Sequence, residues 1–395
     1  MAMFNKTLSG TLLIAGTATG AGMLGIPLIT ARAGFLPAMG ITVAVWLFML
    51  ATGLLYLEAT LWMHQGANVL SMSRRFLGRS GKLIAGATFL FLYYCLMVAY
   101  YAAGTPIFSS FLGVDLSLGA YLLFGLIFGA IVAFGLKAVD RINYILMAAM
   151  ILSYIALVGV GIPQISAERF VTQDWSKVIF AAPILFSAFG YHNIIPSLTT
   201  YFDRNVRVLR RSIFWGTFIP LVIYLLWQWL IIGVVPGPAI DEALALGRPA
   251  TAALQTLVGS PWVMNLGQFF AFFAIITSML GVAFSMVDFL ADGFQVNANR
   301  TATRLILCFL VFIPPFLFSA LDPAIFVTAI GFAGGFGEAF LNGLLPVAMV
   351  WVGRYQRQLG GHEQLGGNKG MLSALFALGV IVMILEVVFV FNENS

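Results

Sequence analysis

Charge is what this sequence has least of. Charged residues make up 9% of its 395 positions, with 20 basic against 15 acidic side chains. A water-soluble domain carries about 25% charged and about 45–50% apolar residues. Here the apolar share is 61% and the mean hydropathy is +0.99. An ordinary soluble fold is excluded, because so few charged groups cannot cover the surface of a chain this long. Cysteine is nearly absent. Cys95 and Cys308 each lie in an apolar run, with no Cys or His neighbour at metal-ligand spacing. That argues against a disulfide framework and a zinc site, and buried free thiols are expected. The only histidines are His64, His192 and His362, and no HExxH, GxSxG or Walker A sequence occurs. The common signatures of metalloproteases, serine hydrolases and nucleotide hydrolases are therefore missing. No cofactor and no bound metal are expected. In a soluble chain the net charge of +5 would suggest nucleic acid. Here the basic residues fall in short loops, and no nucleic-acid partner is expected.

What is present in abundance is long apolar runs. A spanning helix needs about 20 mostly apolar residues. Eleven such segments are predicted, at about 8–31, 36–63, 83–111, 119–136, 142–162, 178–201, 212–235, 261–290, 303–320, 324–352 and 371–391. The expected fold class is an all-α polytopic membrane protein forming one domain over residues 1–395. Its first apolar run continues through Gly16–Gly25 into Ile26-Pro27-Leu28 without a polar cleavage region, so it reads as a retained span rather than a signal peptide.

Basic residues orient the chain. With the N-terminus cytoplasmic, 16 of the 20 fall on the inner side, and only Arg32, Arg169, Lys177 and Arg248 fall outside. This bias is the positive-inside signal, and it puts the C-terminus on the outer side. The run Arg74–Lys82 reads as topology signal, with a surface helix or lipid-headgroup contact as the alternative. The longer outer segments, 163–177 and 236–260, are expected to form short capping helices.

Two spans carry unusual centres. The first reads Gly16-Thr17-Ala18-Thr19-Gly20-Ala21-Gly22-Met23-Leu24-Gly25-Ile26-Pro27. The sixth reads Ser187-Ala188-Phe189-Gly190-Tyr191-His192-Asn193-Ile194-Ile195-Pro196-Ser197. Glycine weakens a helix interior, and proline is tolerated at the first turn of a new helix. Small residues spaced for close helix packing explain the first span on its own, but Tyr191, His192 and Asn193 are too large and polar for that explanation. Unwound backbone survives in a bilayer only where it lines a cavity. The breaks lie five spans apart, so two five-span halves would have opposite topology. Paired interrupted helices in inverted halves point to the binding site of a secondary transporter. Free N–H groups at one half-helix suit a carboxylate, and unwound carbonyls suit an ammonium group or a cation. A site with both properties suits an amino acid.

The segments 16–24, 187–198 and Leu280-Gly281-Val282-Ala283-Phe284-Ser285-Met286-Val287-Asp288 through Asp292 together resemble the motifs of the bacterial tryptophan/tyrosine permeases, the hydroxy- and aromatic-amino-acid permease family. The resemblance spans essentially the whole chain. It implies a LeuT-like fold: inverted repeats at about 8–162 and 178–352, broken helices 1 and 6, and one extra helix. It also implies inward proton symport of an aromatic L-amino acid by alternating access across the bacterial inner (plasma) membrane, with the C-terminus in the periplasm.

On that footing the substrate carboxylate is expected at the N–H groups of Gly20, Ala21 and Gly22. The amino group is expected at carbonyls near Thr17, Ala18 and Phe186, Ser187 and Ala188. An aromatic, sulfur-bearing pocket is expected from Tyr93, Tyr94, Met97, Tyr100 and Tyr101, walled by Phe189, Tyr191, Phe332 and Phe336. Asn193 and His192 are the polar specificity candidates. His192 reads equally as a proton carrier and as a structural histidine. Among intramembrane acids, Glu338 beside an expected glycine-rich break in the tenth span is a proton-site candidate, as is Glu58, against a helix-bracing reading. Thr277 and Ser278, with carbonyls near Gly16 and Thr19, keep a sodium-coupled neutral amino-acid symporter open as the alternative. Their simpler reading is hydroxyls bonded back to their own helix. A channel would show rings of like charge or repeated filter segments, and an intramembrane enzyme would show a nucleophile–base set. The sequence shows neither. A monomer embedded in the lipid bilayer is expected.

Overall fold

The computed structural model describes residues 2–255, 261–297 and 300–393. Nearly all of them are helical, and the one β feature among them is an isolated bridge between Gly34 and Gln173. Among the described residues, nine helices are long and apolar enough to cross a membrane. The pair Lys6–Ala18 and Ala21–Thr30, bent by 48°, makes a tenth. The predicted fourth span is the exception to a count of eleven. It forms the helix Leu118–Ala133 of 16 residues, about 24 Å at 1.5 Å per residue, against a hydrocarbon core of about 30 Å.

The expected breaks are present. The first helix stops at Ala18, and the chain restarts as a tight turn at Ala21–Leu24, then a short helix Ile26–Thr30 with proline in its first turn. The sixth span runs as Ala182–Ala188, leaves the helix at Gly190 and Tyr191, and resumes through a tight turn at His192–Ile194 as Ile195–Tyr201, again with proline in the first turn. The two breaks touch: a Cβ on Gly22 would lie 2.9 Å from Ala188 Cα.

The glycine-rich stretch of the tenth span behaves differently from the sequence expectation. It does not break the helix. Residues Ala333–Leu344 instead form a continuous π-helical stretch between Phe326–Phe332 and Leu345–Trp351. Its glycines serve close approach. A Cβ on Gly334 would lie 2.8 Å from Ser187 N, and one on Gly337 would lie 2.7 Å from Leu92 Cβ. The wide turn thereby packs against the first half of the sixth span and against the third span, while the last helix, Lys369–Glu393, lies on its other side. The third span belongs to a helix of 44 residues, Val69–Leu112, kinked at Gly78, whose φ of +77° suits glycine. The connecting segments 163–177 and 236–260 form short helices as expected, Gly237–Ala245 and Ala250–Gln255, with tight turns at Ile162–Gln164 and Ala167–Phe170; 256–260 lie outside the described residues. Both cysteines are free thiols.

Candidate functional site

A cavity of about 420 Å³ opens where the two breaks meet. This lies within the range of small-molecule sites. The first span supplies Gly16 through Gly22, and the sixth supplies Ser187, Ala188, Gly190 and Asn193. Thr277, Ser278 and Ser285 come from the eighth, and Glu338 and Asn342 from the π-helical stretch. Tyr56, Phe89, Tyr93 and Tyr100 form the aromatic wall. The cavity runs toward the end of the bundle that holds the N-terminal half of the first span, where Leu12 and Leu13 line it and are about half exposed. Toward the other end the second half of that span, Ile26–Thr30, is fully packed. There Trp227 Nε1 donates to Met23 O at 3.0 Å.

Polar groups on the walls divide into engaged and available ones. Asn193 Nδ2 donates to Tyr93 Oη at 3.1 Å, tying the sixth span to the third. Ser278 Oγ accepts from Ala21 N at 3.1 Å and donates to Ala274 O at 2.9 Å. Thr277 Oγ1 donates back to Phe273 O at 2.9 Å. Thr19 Oγ1 and Ser187 Oγ are buried without a protein partner, so two hydroxyls at the breaks are left for a ligand. Glu338 is 6% exposed. Its carboxylate accepts from Asn342 Nδ2 one helical turn on, and it lies against Gly190, where a Cβ would come within 2.8 Å of its Cδ. Among the residues lining this cavity Glu338 is the one acid, and no Lys, Arg or His joins it.

The structure therefore gathers Gly16, Thr17, Ala18, Thr19, Gly20, Ala21, Gly22, Tyr93, Tyr100, Ser187, Ala188, Asn193, Thr277, Ser278 and Glu338 around one space. It places the other expected residues elsewhere. Tyr94 is half-buried and donates to Leu310 O at 3.0 Å in the ninth span. Tyr101 packs edge-on against Phe124, with centroids 5.2 Å apart. Met97 is enclosed in the core. The reason is geometric: a helix turns 100° per residue, so the aromatic cluster of the third span cannot face one way. Phe186 packs on Phe48 at 5.0 Å and Phe189 on Tyr224 at 4.9 Å. Phe332 packs on Phe336. Tyr191 reaches Met49 O at 3.1 Å.

His192 is buried behind the break, its Nε2 3.0 Å from Thr52 Oγ1. That hydroxyl lies 3.2 Å from Phe48 O, which draws its proton. The imidazole Nδ1 is buried without a hydrogen-bond partner among the described residues. His192 does not line the cavity. Glu58 is also corrected. Arg354 clamps it from both sides, Nε to Oε1 and Nη2 to Oε2 at 2.7 Å each, and Gln364 N adds a bond of 3.0 Å. It ties the second span to the tenth and does not line the cavity. Residues missed from sequence were Tyr56, Phe89 and Asn342. Asn342 was legible as the i+4 partner of Glu338, whereas Tyr56 and Phe89 carried no signal separating them from the other aromatics.

The fold has a solved counterpart. The crystal structure of MhsT in complex with L-phenylalanine matches with a TM-score of 0.63, covering 96% of this chain and 97% of that one at 16% identity. The protein thus has the fold of a LeuT-type transporter. The tryptophan/tyrosine permease family matches residues 3–386, and the chain belongs to that family. Tyrosine-specific transport system 1 of Haemophilus influenzae is 33% identical over 387 residues, covering 96% of each chain. The tryptophan-specific transport protein of the same organism is 31% identical, covering 96% of this chain and 95% of its own. The protein is a multi-pass membrane permease and not an enzyme.

Proposed function

We propose that the protein imports aromatic L-amino acids, tyrosine or tryptophan, by proton symport with alternating access. The observation that carries this reading is Glu338, the single acid on a cavity whose other walls are broken-helix backbone and aromatic rings. A carboxyl that is neutral when protonated and charged when not is the simplest proton carrier at that depth. Its neighbours support the assignment: Asn342 satisfies one oxygen, and Gly190 lets the carboxyl sit against the sixth-span break. Protonation there changes the charge beside the site where the substrate backbone would bind.

In this reading the substrate carboxylate meets the N–H groups of Gly20 and Gly22 and the hydroxyl of Thr19, since Ala21 N already donates to Ser278. The ammonium group meets the Ala18 and Ala188 carbonyls. The ring lies among Tyr56, Phe89, Tyr93 and Tyr100, with the Asn193 side chain at its polar edge. The monomer sits in the bacterial inner membrane with its N-terminus in the cytoplasm, as the basic residues direct. The cavity then opens inward, and its two five-helix halves, about 8–162 and 178–352, exchange that opening for an outward one.

The test is uptake of labelled tyrosine and tryptophan by proteoliposomes with an imposed inward proton gradient. Accumulation should follow the gradient, fall as external pH rises, and need no sodium. Glu338→Gln should bind substrate yet lose gradient-driven accumulation, keeping exchange of internal for external substrate. Uptake that requires sodium and ignores pH would transfer coupling to the Thr277–Ser278 region. Preference for leucine or serine would sink the aromatic reading.

A further inference from the structure

Tyr224 lies in the middle of the seventh span, Val206–Val234, and is fully buried. Its Oη is 2.5 Å from Ala18 O and 2.8 Å from Ala188 O. Those carbonyls close the first halves of the two broken helices, where the helical pattern leaves carbonyls without their usual partners. A third span thus reaches behind the cavity and gathers both broken ends onto one atom. A phenol carries one proton, so it donates to only one of the two carbonyls at a time. The arrangement brings two acceptors together with one donor between them.

Ala18 and Ala188 both line the cavity, whereas Tyr224 stands behind them. Each carbonyl has a second lone pair, and the cavity is the side from which a ligand reaches it. An ammonium group brings three N–H donors. We propose that Tyr224 is the positioning residue of an ammonium site: its hydroxyl holds the Ala18 and Ala188 carbonyls at one point, and the substrate's α-ammonium group supplies the donors the pair still lacks. The inference rests on the reading of the substrate as an amino acid, but not on its side chain or on the coupling ion.

Tyr224→Phe tests it, because the ring keeps its contact with Phe189 at 4.9 Å and only the hydroxyl is lost. Uptake by the reconstituted full-length protein is measured with whichever amino acid the wild type carries. KM should rise about tenfold or more, the scale of a hydrogen bond to a charged group, with a much smaller change in maximal rate. Competition by the amines tyramine and tryptamine should weaken by a similar factor. Competition by the amine-free acids 3-(4-hydroxyphenyl)propionate and indole-3-propionate should not change. An unchanged KM, or equal weakening against amines and acids, overturns the proposal and leaves Tyr224 as a packing residue. Should the variant not reconstitute, N-methyl, N,N-dimethyl and N,N,N-trimethyl derivatives are competed against the wild type. Affinity should fall stepwise as N–H donors are removed, and a trimethyl compound that competes as well as its parent overturns the proposal. A wild type that carries a non-aromatic amino acid overturns the aromatic reading alone. One that binds no amino acid overturns both.

Discussion

Glu338, Gly22 and Asn193 each carry a different burden at the scale of single residues. Glu338 stands alone as an acid on its cavity, so replacing it by Gln should separate binding from proton-driven accumulation. Gly22 exists for contact. An added methyl would lie 2.9 Å from Ala188 Cα, against backbone that cannot swing aside. Gly22→Ala should therefore lower thermal stability by about 1–3 kcal/mol, or force the breaks apart and slow uptake, measurable by fluorescence-detected melting and initial rates. Asn193 bonds Tyr93 Oη at 3.1 Å. Asn193→Ala should change the ratio of tyrosine to tryptophan uptake more than it changes melting temperature. An unchanged ratio would make this bond a brace between spans and no more. Most of these residues were legible as candidates because glycine and polar side chains are rare choices in the middle of an apolar run. The relegation of His192 was not legible, since it depends on Thr52, 140 positions away.

Elements behave as their termini dictate. Both broken spans restart with proline in the first turn, where its missing N–H costs nothing. The tenth span contains four glycines within Gly331–Gly337 and yet does not break, because each one receives a neighbouring group and the helix widens to a π turn instead. Composition therefore misled the reading there: glycine signals close approach as readily as it signals a break. Between the second and tenth spans, the side chains of Glu58 and Arg354 are 0% and 6% exposed and bond through both carboxylate oxygens. Removing one partner leaves a buried charge without compensation, at a cost of about 3–5 kcal/mol. Arg354→Ala should then reduce expression and melting temperature while Glu338→Gln does not. A double replacement by apolar residues of similar volume, Glu58→Leu with Arg354→Met, should recover part of the loss. Equal melting of the single and double variants would show that the pair brings no such penalty.

For the whole molecule, the asymmetry of the cavity is the main consequence. Leu12 and Thr17 are exposed on the open side, while Ile26–Thr30 is packed on the other. In a background with Cys95 and Cys308 replaced, Thr17→Cys should react with a membrane-impermeant thiol reagent from the side that carries the N-terminus, and substrate should protect it. Reaction only from the opposite side would reverse the proposed orientation. Apolar runs and scarce charge determined by themselves that the chain is a polytopic membrane protein, because any span must satisfy the same length and solvation limits whatever it packs against. They determined equally where the two helices break, since glycine and proline act on the local backbone. Which aromatic rings face the cavity, and which of Glu58, His192 and Glu338 keeps access to it, was decided only by tertiary structure. The physical reason is that a side chain's role depends on partners brought in from distant spans. Arg354 pairs with Glu58, Thr52 lies against His192, and Tyr224 reaches two carbonyls at the ends of separate broken helices.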